Sequence, residues 1–199
     1  MKIAAVNARW ISVPIPEDKR HTSDFGRTAS FNTVLVMIET DTGIVGYGEA
    51  KAGVGSHGDG TALVALIEKE LGPQLIGFPA GDIAGIWERM YNGTRSHLAI
   101  ERGHVFPILG RRGLTISAIS GIDIALWDIL GKHLGVPIWQ LLGGRCRDSL
   151  PAYASGGWAP EEDIGAQLQS YIDQGGFPGV KMRVGAGDGD VGTSAKRVI

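Results

Sequence analysis

Between Thr115 and Gly135 runs "TISAISGIDIALWDILGKHLG", and no other stretch restricts the fold as much. Ile119, Ile122, Leu126, Ile129 and Leu130 recur at helical spacing until Gly135 and Pro137 stop the pattern, which predicts one long amphipathic helix. Such a helix has to bury its apolar side against another layer. The preceding sequence supplies that layer. From Ile3 to Pro14, and again over "NTVLVMIET" (Asn32 to Thr40), β-branched and apolar residues dominate, and "DTG" then leads into "IVGYGEA", which predicts an antiparallel meander.

Two further helical patterns lie between sheet and long helix. "TALVALIEKEL" places Leu63, Leu66, Ile67 and Leu71 on one stripe, and "DIAGIWERMY" follows Pro79 with Asp82 as its N-cap. "RSHLAIERGHVFPILGRRG" is broken by glycine, proline and paired arginines, and reads as loop with short helix; its arginines default to a solvated surface. Two long connections, "EDKRHTSDFGRTAS" with His21 and "AKAGVGSHGDG" with His57, exceed hairpin turns and are either functional lids or disordered. "PIWQLLGG" adds a short helical turn.

The grammar changes after Arg147. "LPAYAS" reads as a strand, "PEEDIGAQLQSYIDQG" as a helix with proline and acids in its first turn, "GVKMRV" as a second strand, and "GDVGTSAKRVI" as the start of another helix. A β-α-β-α order opens a parallel α/β structure, yet two parallel strands leave faces and edges uncovered, so the chain reads as incomplete. In "GVKMRVG", strand alternation puts Lys181 and Arg183 on one face and Val180, Met182 and Val184 on the other. By itself that pattern is most simply a solvated sheet face opposite a buried one.

Composition narrows the function classes. With 43% hydrophobic and 20% charged residues among 199, the chain has material for a sizeable core. A net charge of -2 offers no broad basic surface for nucleic acid or anionic lipid. Cys146 is the single cysteine, which excludes an internal disulfide. The first residues, "MKIAAVNARWISVPIP", lack the continuous apolar core of a signal peptide, and no apolar stretch is expected to approach the roughly 20 residues that span a bilayer. A cytoplasmic location is the expectation. There are 31 glycines, well above the usual ~7%, without a three-residue period, so many turns and close backbone approaches follow. No strand leads into a dinucleotide-binding Gly-x-Gly-x-x-Gly.

Taken together, "AISGIDIALWDILGKHLGVPIWQLLGG", the strand at Tyr153, "VKMRVG", "GIVGYGEA" and "IWERMY" resemble the mandelate racemase and muconate-lactonizing branch of the enolase superfamily. The resemblance runs over essentially the whole chain. It implies an α+β capping domain, residues 1–147 with a linking helix, followed over 148–199 by the first β/α units of an apparently truncated, modified TIM barrel. It implies Mg²⁺-dependent abstraction of a proton α to a carboxylate in the complete enzyme, most directly dehydration or racemisation of a hydroxy acid or sugar acid. Cycloisomerase or epimerase chemistry of the same superfamily, or a non-catalytic capping fragment, are the alternatives. A small-molecule carboxylate substrate and homo-oligomer formation are also implied.

The resemblance also assigns residues. Lys181 and Arg183 occupy the family's Lys-x-Lys position, but the second basic residue, commonly the proton-abstracting lysine, is an arginine here. A guanidinium with a pKa above ~12 is a poor base, which leaves two possibilities. Either Lys181 is the base, assisted by the adjacent cation and by burial, or Arg183 binds the carboxylate while a histidine on a later strand moves the proton. The family's Mg²⁺ ligands are carboxylates on later barrel strands, beyond residue 199, so no metal ligand is assigned in this chain. Asp188 and Asp190 lack the ligand series of a calcium loop and read as helix capping. His21 and His57 are expected to bind substrate from the capping loops, while Asp123, Trp127 and Asp128 are expected to be structural, packing cap against barrel.

Overall fold

The computed structural model describes residues 1–17, 20, 22–23, 26–51, 58–101, 111–157 and 159–182. Its contacts divide into two units, Met1–Pro14 with Ser30–Gly144 and Ile15–Ala29 with Arg145–Ile199.

In the first unit, β1 (Ile3–Pro14), β4 (Ser30–Thr40) and β5 (Val45–Ala50) form an antiparallel sheet in the order β1-β4-β5. The meander expected from the sequence is present. Its second turn closes around Thr40, a buried polar residue whose hydroxyl donates to the carbonyl of Ile44 at 2.9 Å and accepts from the Ile44 N–H at 3.0 Å. Gly43 supplies the positive φ of 83° there.

One face of the sheet, carrying Val34, Val36 and Ile38, is buried under helices. α1 (Thr61–Ala65) continues into a widened π-helical turn, Leu66–Leu71. Leu63, Ile67 and Leu71 are all buried, because the wider turn offsets the drift that a spacing of four builds up on a 3.6-residue helix. Leu66, expected on the same stripe, is only half-buried. α2 (Ile83–Glu101) starts after Asp82, whose carbonyl accepts the first helical N–H, that of Ile86, at 2.9 Å. It buries Ile86 and Met90, then breaks at Gly93, where φ is 69° and ψ -179°. Helix therefore extends further than the "loop with short helix" expected from Arg95 onward; the interruptions begin only after Glu101, and 102–110 lie outside the described residues.

α3 (Leu114–Leu134) is the central element, with Ile119, Ile122, Leu126 and Ile129 fully buried and Leu130 partly so. It ends as its sequence dictates: Gly135 is left-handed at φ 68°, and the Val136 N–H turns back to the Gly131 carbonyl at 3.0 Å. By length and composition α3 is long and apolar enough to cross a membrane, which corrects the expectation that no stretch approaches that length. Asp123 and Asp128 interrupt the apolar run, but the isoleucines, leucines and alanines around them keep its average high. α4 (Ile138–Leu141) follows as a single turn.

In the second unit, β2 (Thr22–Ser23) and β3 (Gly26–Arg27) form a small antiparallel pair inside what the sequence presented as a loop. β6 (Ala154–Gly156), α5 (Glu161–Gly175) and β7 (Val180–Met182) form a β-α-β unit with parallel strands. α5 opens after Pro160 with Glu161, Glu162 and Asp163 in its first turn, where the helix dipole favours acids, and ends at left-handed Gly176.

Candidate functional site

The candidate site is the open face of the β6-β7 pair. Register sets Ala154 against Val180, Ser155 against Lys181 and Gly156 against Met182. The face turned to α5 is identified by contact. A Cβ on Gly156 would stand 2.6 Å from the Tyr171 ring, and one on Gly157 would stand 2.7 Å from Cβ of Met182 and 3.5 Å from Cδ1 of Ile164. Gly156 is accordingly buried, and Val180 and Met182 are half-buried. Alternation then puts Ser155 and Lys181 together on the opposite face, and both are exposed.

An ammonium beside a hydroxyl offers several hydrogen-bond donors to one anionic ligand, which suits a carboxylate. Ser155 was not singled out by sequence reasoning; the only signal was its place in "LPAYAS", and the pairing register that sets it against Lys181 is a tertiary fact. Lys181 is exposed, not buried as one of the two base assignments supposed. Arg183, His21, His57, Asp188 and Asp190 lie outside the described residues. Among the described residues, no three His, Cys, Asp or Glu side chains come together as a metal site, so these residues do not fit Mg²⁺.

The signature of α3 has a different role. The Asp128 carboxylate accepts from the Tyr47 N–H at 2.8 Å and from Lys132 Nζ at 2.7 Å, and Lys132 also donates to the Val45 carbonyl at 2.7 Å while its ammonium sits 4.7 Å from the centre of the Tyr47 ring. Helix and edge strand are thereby tied together inside the first unit. The glycines of "GYGEA" let the helix lie against the strand: a Cβ on Gly46 would be 2.2 Å from the Ala125 carbonyl oxygen, and one on Gly48 only 1.9 Å from that of Gly121. Burial raises the pKa of Asp123, while a hydrogen bond from Trp127 pulls the other way. Asp59 is shifted down by its hydrogen bonds with Thr61, whose N–H lies 2.7 Å from Oδ1.

The sequence profile of the mandelate racemase / muconate lactonizing enzyme N-terminal domain matches residues 7–143. The chain is 38% identical over 156 residues to an arabinonate dehydratase of Saccharolobus solfataricus, covering 77% of this chain and 37% of that protein. It is 37% identical over 193 residues to a D-galactarolactone cycloisomerase of Agrobacterium fabrum, covering 94% of this chain and 45% of the other. In three dimensions it superposes on an N-succinyl Arg/Lys racemase from Bacillus cereus with a TM-score of 0.74 at 27% identity, over all of this chain and 47% of that one. The chain therefore spans less than half the length of each of these relatives. The matched profile and the α+β architecture of the first unit lead to one conclusion: the chain belongs to the mandelate racemase / muconate lactonizing enzyme family of the enolase superfamily and contains that family's N-terminal capping domain.

Proposed function

We propose that this chain serves an enzyme that removes the proton α to the carboxylate of a sugar acid or related hydroxy acid, with loss of water as the outcome. The observation that carries the reading is the pairing of Lys181 with Ser155 on the face of the β-α-β unit that α5 leaves open. In this reading the unit opens a barrel of parallel strands whose inner face is the reaction chamber. Of the two cations in "KMR", a guanidinium holds its proton too tightly to act as a base, so Lys181 is assigned as base and Arg183 holds the substrate carboxylate through its planar fork. Lys181 Nζ, as the free amine, takes the α-proton, and the electron pair left on carbon moves into the carboxylate to give an enediolate. Return of electron density from the enediolate then forms the Cα–Cβ double bond and expels the β-hydroxyl, which takes a proton from solvent and leaves as water, and the enol that remains tautomerises to the 2-keto-3-deoxy acid. His21 and His57 are assigned to substrate binding. Bound Mg²⁺ would supply positive charge beside the carboxylate, but the described residues hold no site for it and no step here runs through it.

A second reading, cycloisomerisation, is favoured by the reach of the matches. Identity to the cycloisomerase spans 94% of this chain, whereas identity to the arabinonate dehydratase spans 77%. The test uses the polypeptide expressed from its own gene to its natural end, with aldonic, aldaric and lactone substrates in D₂O containing Mg²⁺, followed by proton NMR. Loss of the α-proton signal together with a 2-keto-3-deoxy product supports dehydration. Lactone ring opening with deuterium incorporation supports the second reading. Exchange unaffected by Lys181→Met, or no exchange with any acid, rejects both.

A further inference from the structure

The covered side of the β-α-β unit bears on the open side through the end of β6. Ile164, Gln167, Leu168 and Tyr171 recur at helical spacing on α5, and each is buried or half-buried. Three of them hold the strand end from behind. Tyr171 stands against Gly156, Ile164 stands against Gly157, and Gln167 Oε1 accepts from the Ala159 N–H at 3.1 Å.

At Gly156 the fit leaves no room for a side chain. A Cβ there would lie 2.6 Å from Cε2 and from Oη of Tyr171 and 2.8 Å from Cζ, well inside the roughly 3.5–4.0 Å of carbon–carbon contact. The strand backbone therefore comes closer to α5 than any residue with a Cβ would allow, and the tip of the Tyr171 ring sets where it stops. β6 is three residues long, and among the described residues its one strand neighbour is β7. So short a ladder leaves the height of the strand to what stands behind it. Ser155 is joined to Gly156 through one planar peptide and moves with it.

We propose that Tyr171 is a positioning residue that holds Ser155 level with Lys181 from the far side of the strand. Its ring fixes the backbone at Gly156, and the register then carries the Ser155 hydroxyl to its place beside the Lys181 ammonium. The role of that pair in binding a carboxylate rests on the function proposed above, whereas the placement of the pair is a matter of geometry and is measured separately. Tyr171 itself faces away from the open side and touches no substrate. The struck atoms also define the variants: leucine lacks Cε2, Cζ and Oη, while phenylalanine lacks Oη alone.

The test uses the polypeptide expressed from its own gene to its natural end, with circular dichroism to show that each variant is folded. Cys146 is free and exposed, so the parent carries Cys146→Ser together with Ser155→Cys and Lys181→Cys. Paired strands lie ~4.8 Å apart, within the roughly 4.4–6.8 Å that a disulfide spans between Cα atoms, so glutathione disulfide should join the two thiols at a rate that peptide mapping follows. Tyr171→Leu and Gly156→Ala are each expected to slow the joining about fivefold or more, and Tyr171→Phe to leave it within about twofold. The combination Tyr171→Leu/Gly156→Ala is expected to recover, because the added methyl enters the space that the lost ring atoms leave. On the Ser155 background, Tyr171→Leu should raise KM about threefold or more with kcat nearly unchanged, and it should add nothing to Ser155→Ala, since a residue acting through Ser155 then has nothing to act on. A parent pair that fails to join, a joining rate that Tyr171→Leu leaves unchanged, or a KM effect that adds to that of Ser155→Ala overturns the proposal. Absence of turnover with every acid rejects the proposed reaction instead, and the joining rates then decide the positioning by themselves.

Discussion

The backbone N–H of Tyr47 donates to the carboxylate of Asp128, 81 residues later, at 2.8 Å, and Lys132 closes the arrangement from the next turn of α3. A charged acceptor for an edge-strand N–H is worth roughly 1.5–3 kcal/mol when partly shielded, and Asp128 is 27% exposed. Asp128→Ala should destabilise the first unit by about 1–2 kcal/mol in urea denaturation. Asp128→Asn keeps an acceptor and should lose less. Equal losses for the two variants would show that the charge, not the hydrogen bond, is what matters.

Glycine substitutions should separate sharply by location. Gly48→Ala drives a methyl to 1.9 Å from the Gly121 carbonyl oxygen, which backbone against backbone has no cheap way to relieve, so a loss of about 3 kcal/mol or more is expected. Gly85 lies inside α2 with nothing within 4 Å of an added Cβ. Gly85→Ala should raise stability by roughly 0.5–1 kcal/mol, from helix propensity alone. Thermal melts of the two variants, moving in opposite directions, check both.

Asp123 gives a pH dependence with a definite sign. Burial raises its pKa in the fold above the value of 3.8 for the free side chain, so the folded state binds more protons between those two values. Its contribution to stability is fully present below the unfolded pKa and is lost as pH rises through the folded one. Asp123→Asn stays neutral and its side-chain oxygen can still accept from Trp127. The variant should therefore gain stability over the wild type progressively as pH rises through that window and hold the gain at neutral pH. Urea titrations from pH 7 down to the lowest pH at which the protein stays folded measure it, and a constant difference at every pH would contradict the assignment.

Under the proposed reaction, neighbours on β7 should behave oppositely. Met182 faces α5, so Met182→Leu conserves volume and should cost less than about 1.5 kcal/mol with turnover retained. Lys181→Met should slow α-proton exchange by about 10² or more, the lower end of what a general base contributes. Arg183→Lys should act mainly on KM, because a point charge replaces a fork that holds a carboxylate at two points. Wild-type exchange in both Lys181→Met and Arg183→Met would remove the pair from the chemistry.

The sequence by itself determined the main elements and their order, though not the β2-β3 pair or the run of α2 past Arg95. Strand alternation, the 3.6-residue stripe of Ile119, Ile122, Leu126 and Ile129, the stop at Gly135 and the acids after Pro160 are local signals, and each appears where local physics puts it. The family, too, was legible, because the motifs that carry it lie on those elements. What only the tertiary structure decided is which groups meet across long separations. That Asp128 closes the edge of β5, that the glycines of "GYGEA" admit the carbonyls of α3, and that Ser155 stands beside Lys181 all depend on register and close approach between elements far apart in the chain. The sequence signal for each is one polar or missing side chain, which leaves no periodicity to read. Contacts of this kind are specified by packing as a whole, because a one-residue slip in register turns every side chain of a strand to its other face.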